Sequence, residues 1–198
     1  MNLREKTFLR LLLLSCLSFG VLFLIILAHT QKALYRLETL QAQESLDRLE
    51  QVLQQRLEAL DSTCADWASW DSSYAFMADG NEAFRRENLL PRVFVTLKLG
   101  YLLFVLPDGT LRYGEWFDRD LDRPLPVTGS IRERLRRGSP LLDIPPGQSR
   151  RGLWILPRGV YLVAARAVLD SRLQGPPRGT LVMMRPLDGA EMRSLVMT

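Results

Sequence analysis

Eighteen consecutive positions, residues 11–28 (LLLLSCLSFGVLFLIILA), carry no charge. A run of about 18 to 20 apolar residues is enough to cross the hydrocarbon core as a helix, so the pattern predicts a transmembrane segment. Arg4, Lys6 and Arg10 precede it, and only His29 and Lys32 follow closely. The positive-inside rule therefore puts residues 1–10 in the cytoplasm and everything after residue 28 on the far side, which in a bacterium is the periplasm: a single pass through the inner membrane. A cleavable signal peptide has a shorter apolar core, roughly 7 to 15 residues, and a small-residue cleavage site that is missing after Ala28. Leu13-Leu14-Ser15-Cys16 has the outline of a lipoprotein processing site, but the apolar run continues well past Cys16.

The pattern then changes. Residues 31–60 contain no Gly or Pro, and Leu34, Leu37, Leu46, Leu49, Leu53, Leu57 and Leu60 recur mostly at spacings of three and four. That is a helix with one apolar stripe. At about 1.5 Å per residue it would extend roughly 45 Å, which suits a stalk better than a simple tether. The stripe could pack on its own domain or on a second copy of the chain, and a homodimer through the stalk is expected. Beyond Leu60 the texture changes again: all 11 Pro and 12 of the 13 Gly lie there, between short apolar runs. Residues 101–106, a Pro107-Asp108-Gly109 turn and residues 110–117 read as a hairpin. Further strands are predicted at 152–156, 160–167 and 180–185, and helices at 82–97 and 128–137. The fold class is α+β, with five antiparallel strands and flanking helices.

Composition adds mainly exclusions. With 47% hydrophobic and 24% charged residues the chain should fold. Residues 31–198 carry 23 basic against 21 acidic side chains, a net charge of +2, too little for a nucleic-acid partner. The only histidine is His29, at the membrane edge, so neither a Ser-His-Asp triad nor a histidine metal site can be built in the soluble part, and the carboxylates form no distinguishing pair. No catalysis, cofactor or metal is expected. Residues 147–152 lack the spacing and the Lys of a phosphate loop. Arg132, Arg134, Arg136 and Arg137 read as a solvated helix face. Cys64 is the one cysteine outside the apolar run, so it is expected to be a buried thiol, an interchain bond being the alternative.

The densest chemistry lies in Asp66-Trp67-Ala68-Ser69-Trp70-Asp71-Ser72-Ser73-Tyr74. If the helix continues through it, 100° per residue puts Trp67, Trp70, Asp71 and Tyr74 on one face with Leu60 and Cys64. Two readings are open. In one the rings are core and Asp71 is satisfied by a backbone N–H or an Arg. In the other they form a ligand pocket, with Asp71 as counter-charge and Trp67, Trp70 and Tyr74 as π-faces for an ammonium group, and with Asp66 and Asn88 adding hydrogen bonds.

The same stretch, followed by Asn81, Phe84 and Asn88-Leu89, resembles the signature of the type-four CHASE domain. The similarity continues through the Asp108-Gly109 turn, Leu162-Val163-Ala164-Ala165 and Gly179-Thr180-Leu181-Val182-Met183, over roughly residues 45–190. The resemblance implies a fold related to Cache and PAS sensors, with a long N-terminal helix on a five-stranded antiparallel sheet. It also implies sensing of a small ligand of unassigned identity for a histidine kinase, diguanylate cyclase or phosphodiesterase. Such sensors return through a second membrane helix to their output domain. Residues 187–198 read as the start of that helix, with the output domain absent from this sequence. The competing reading is a single-span envelope scaffold that works through its stalk.

Overall fold

The computed structural model describes residues 3–127, 129–136 and 138–187. Residues 188–198, read above as the start of a returning helix, lie outside the described residues. The chain divides into two units, residues 1–50 and 51–198.

In the first unit the described residues are helical throughout, as the N-terminal part of α1 (Leu3–Ala68). Leu14, Leu17, Phe19, Val21, Leu22, Phe23, Leu24 and Leu27 are exposed. Among the described residues no helix is long and apolar enough to cross a membrane. Within the apolar run 11–28, the side chains of residues 11–13, 16, 25, 26 and 28 lie outside the described ones.

Among the described residues, the second unit holds the last turns of α1, four short helices and one sheet. The helices are α2 (Asp71–Asp79), α3 (Glu82–Asn88), α4 (Pro91–Thr96) and α5 (Gly129–Arg134). The strands are β1 (Tyr101–Val105), β2 (Leu111–Asp118), β3 (Arg123–Pro126), β4 (Ser149–Leu156), β5 (Gly159–Ala167) and β6 (Thr180–Pro186). They form an antiparallel sheet in the order β3-β2-β1-β6-β5-β4. The α+β class is as expected, but the sheet has six strands rather than five.

The extra strand is β3, whose Pro124 and Pro126 argue against a strand in sequence. Both prolines share one parity, and the N–H groups that face β2 belong to the other: Val127 N–H donates to the Gly114 carbonyl at 3.2 Å. The missing donors therefore fall on the free edge, where proline is tolerated. The helix expected over 82–97 is two helices. Pro91 opens α4, and Leu90 before it is extended at φ −87°, ψ 154°, the conformation that a following proline imposes.

The three central strands are apolar at nearly every position because both faces are covered. Leu102, Phe104, Leu162, Ala164, Leu181 and Met183 face one core with the end of α1 and with Phe76, Phe84 and Phe94 of α2, α3 and α4. Tyr101, Leu103, Val105, Val163, Val182 and Met184 face a second core under Ile131 and Leu135. A strand residue thus loses its water whichever way it points, at about 25 cal/mol per Å² of apolar surface.

Candidate ligand-binding site

The helix does not continue through the aromatic segment. It ends at Ala68, whose carbonyl accepts from Leu169 N–H at 3.0 Å. The Ser69 hydroxyl turns back to the Ala65 carbonyl at 2.8 Å, and Trp70 is extended (φ −80°, ψ 135°) ahead of α2. The single helical face expected for Trp67, Trp70, Asp71 and Tyr74 is therefore replaced by a corner. Trp67 and Trp70 stack across it with centroids 4.9 Å apart.

The corner holds the β5–β6 connection. Asp71 Oδ1 accepts from Ser171 N–H at 2.8 Å, and Oδ2 from the Ser171 hydroxyl at 2.9 Å. The Ser171 N–H, then its hydroxyl, keep the Asp71 carboxyl below its ordinary value. The Tyr74 hydroxyl donates to the Pro176 carbonyl at 3.1 Å. The Arg178 guanidinium lies over the Tyr74 ring at 3.7 Å and donates to the Tyr74 carbonyl at 2.9 Å. An ammonium ligand would compete here with an internal cation for the Tyr74 face and with Ser171 for the carboxylate. Trp67, Trp70, Asp71 and Tyr74 come together as a clasp. Asp66 is exposed at the end of α1, and the Asn88 amide is turned back to the Phe84 carbonyl of its own helix at 3.2 Å.

Below the clasp, α1 is locked to the sheet. Arg166 of β5 donates to both oxygens of Asp61, at 2.8 and 2.7 Å, and the Ser149 hydroxyl of β4 donates to Oδ2 at 3.0 Å. Asp61 is buried, as the full set of partners allows. One turn on, the Cys64 thiol donates to the carbonyls of Leu181 and Ala164. Burial pushes that thiol up, which makes it inert as expected.

Two clefts lie elsewhere, at the end of the sheet where β1 and β5 begin and β2 and β6 end. A cleft of about 360 Å³ runs between Phe94, Lys98, Phe117, Arg119 and Arg185. A second, of about 230 Å³, lies beside Trp116, Arg119, Arg158 and Tyr161. The Arg158 guanidinium sits 3.7 Å over the Trp116 ring. The rings of Tyr101 and Tyr161 meet edge to face with centroids 5.1 Å apart, and burial pushes Tyr101 up to about 12. Sequence reasoning missed this set, because Trp116, Arg158 and Tyr161 belong to no local pattern. The one available signal was the Pro157-Arg158-Gly159 turn between two strands.

The profile of the CHASE4 domain matches residues 52–198. The methanogenesis regulatory histidine kinase FilI of Methanothrix harundinacea is 28% identical over 144 residues, a match that takes in 72% of this chain and 16% of the kinase. Among solved structures, a domain of a candidate sensory box/GGDEF family protein from Vibrio parahaemolyticus aligns with TM-score 0.58 at 15% identity, over 79% of this chain and 62% of that one. The extracellular domain of a candidate histidine kinase, vpHK1S-Z8, aligns with TM-score 0.54 at 18% identity, over 79% of this chain and 60% of that one. These two share the fold.

Proposed function

We propose, from the premise that the chain belongs to the CHASE4 domain family, that this sensory domain of a signalling protein reports a small ligand from the periplasm while anchored in the inner membrane. The anchor rests on the uncharged run 11–28 behind Arg4, Lys6 and Arg10. The histidine kinase and the GGDEF protein among the similar chains support an output of one of those two kinds. Catalysis belongs to that output, and recognition to this chain.

One observation carries the reading: the end of α1 is built into the sheet's core and is fastened by Asp61 to both β4 and β5. A ligand that shifts these strands must also shift the helix. It can do so only by binding the two arrangements with different affinity, by about 1 to 3 kcal/mol in typical coupled systems. The test is a thermal-shift screen of the full chain in lipid nanodiscs against amines, amino acids and organic acids. At a hundred times its Kd a ligand adds about 2.7 kcal/mol and raises Tm. A well-folded chain that meets no ligand in such a screen, and that captures an envelope partner through Leu46, Leu49 and Leu53, would instead be the scaffold.

A further inference from the structure

The smaller cleft has a chemistry of its own. Arg158 is on the exposed turn between β4 and β5, and its guanidinium carbon lies 3.7 Å from the centroid of the Trp116 ring. A guanidinium resting on an aromatic ring still has N–H groups to donate, and a planar fork of donors is what grips a carboxylate. Next to it is a pair of buried tyrosines. Of the two, Tyr161 lines the cleft, and a neutral phenol has one O–H to give. Arg119 lines the same cleft as Arg158 and Tyr161, so positive charge and a phenol meet at this spot.

Gly100 and Asp118 of the cleft have partners within the fold. Gly100 N–H donates to the Met184 carbonyl, and its own carbonyl accepts from Phe117 N–H. Asp118 Oδ1 accepts from the N–H groups of Asp120 and Leu121, at 3.0 and 3.1 Å, and caps that turn. Asp120 is exposed on the lining. Two arginines against two aspartates leave the lining without net charge, which disfavours a dianion.

Resting on the ligand-sensing reading, we infer that the cleft beside Tyr161 takes the carboxylate of a small ligand, gripped by Arg158 and Tyr161, with its carbon chain on Trp116 and Val160. The chemistry is shared by plain monocarboxylic acids and amino acids. In an amino acid the ammonium would be met by Asp120.

The test is isothermal titration of the full 198-residue chain in nanodiscs at pH 7. The probes are the monocarboxylates from acetate to hexanoate, the matching α-amino acids from glycine to norleucine, and the matching alkylamines. The expected result is binding within one of the acid series and none by the amines. Arg158→Gln then weakens binding about tenfold or more, the range for loss of a charged hydrogen bond, and Tyr161→Phe weakens it less. Arg158→Lys keeps the charge without the planar fork and falls between wild type and Gln, which holds the test open if Gln lowers Tm. Binding of amino acids alone, lost in Asp120→Asn, also supports the site and identifies the amino-acid source. Carboxylate binding left intact by Arg158→Gln, or binding of amines only, overturns this site while ligand sensing stands. Binding by none of the three series overturns it as well, and ligand sensing is then decided by the wider thermal-shift screen.

Discussion

Asp61 and Asp71 stand ten positions apart and do opposite work. Asp71 is exposed and its carboxyl is held below 3.8 by Ser171. A depressed pKa means stability that is present above the unfolded value and lost as pH falls through the folded one, so the clasp should loosen below about pH 4. In Asp71→Asn this acid limb should flatten, with faster hydrogen exchange over residues 171–178 and little change in Tm at pH 7. Asp61 is buried between Arg166 and Ser149. Asp61→Ala should cost about 3 to 5 kcal/mol by leaving Arg166 uncompensated, and Asp61→Leu with Arg166→Met should recover most of that in denaturant melts. Gly179 is as constrained as either: its φ is +145°, and a Cβ there would collide with the Val105 carbonyl and the Met77 methyl. Gly179→Ala should therefore lower stability by more than 1 kcal/mol, roughly the limit of a purely entropic glycine effect.

Elements were legible in sequence where one force dominated. The apolar runs of β1, β5 and β6 gave their strands within a residue or two, because central strands covered on both faces have no choice of partner. The end of α1 was hidden, since Ser69 and Trp70 are not breakers by composition and the corner is imposed by tertiary bonds from Leu169 and Ser171. The aromatic segment was found for its density, but its partners lie a hundred positions downstream. The Arg158 cleft was invisible for a related reason: the strand order, not sequence proximity, brings 116–120 to 158–161. At β3 the prolines misled because edge and centre look alike in one dimension. They also yield a prediction. Changing Pro124 and Pro126 together to Val restores two outward N–H groups on a free edge, and should leave the fold intact while raising aggregation, read by light scattering.

At the scale of the whole molecule, sensing needs a second copy or a second state for the helix to report. Leu46 is 64% exposed on the stalk, so in a homodimer through that helix Leu46→Cys should crosslink in membranes, with a yield that changes on ligand addition; a chain that stays monomeric under oxidant would count against the dimer. The strand order carries a different consequence, one of timing. Among the described residues, β6 is the last strand in sequence, lies between β1 and β5 and is what links the β1-β2-β3 and β4-β5 parts of the sheet. A chain delivered N-terminus first, from a ribosome or through a translocation pore, thus holds two unfinished half-sheets until residues 180–186 emerge. The inner edges of β1 and β5, strands whose side chains are mostly buried in the finished fold, stay unpaired for the whole of that wait. Completion of the sheet is then a late event, with those two edges as the surfaces a chaperone would have to shield.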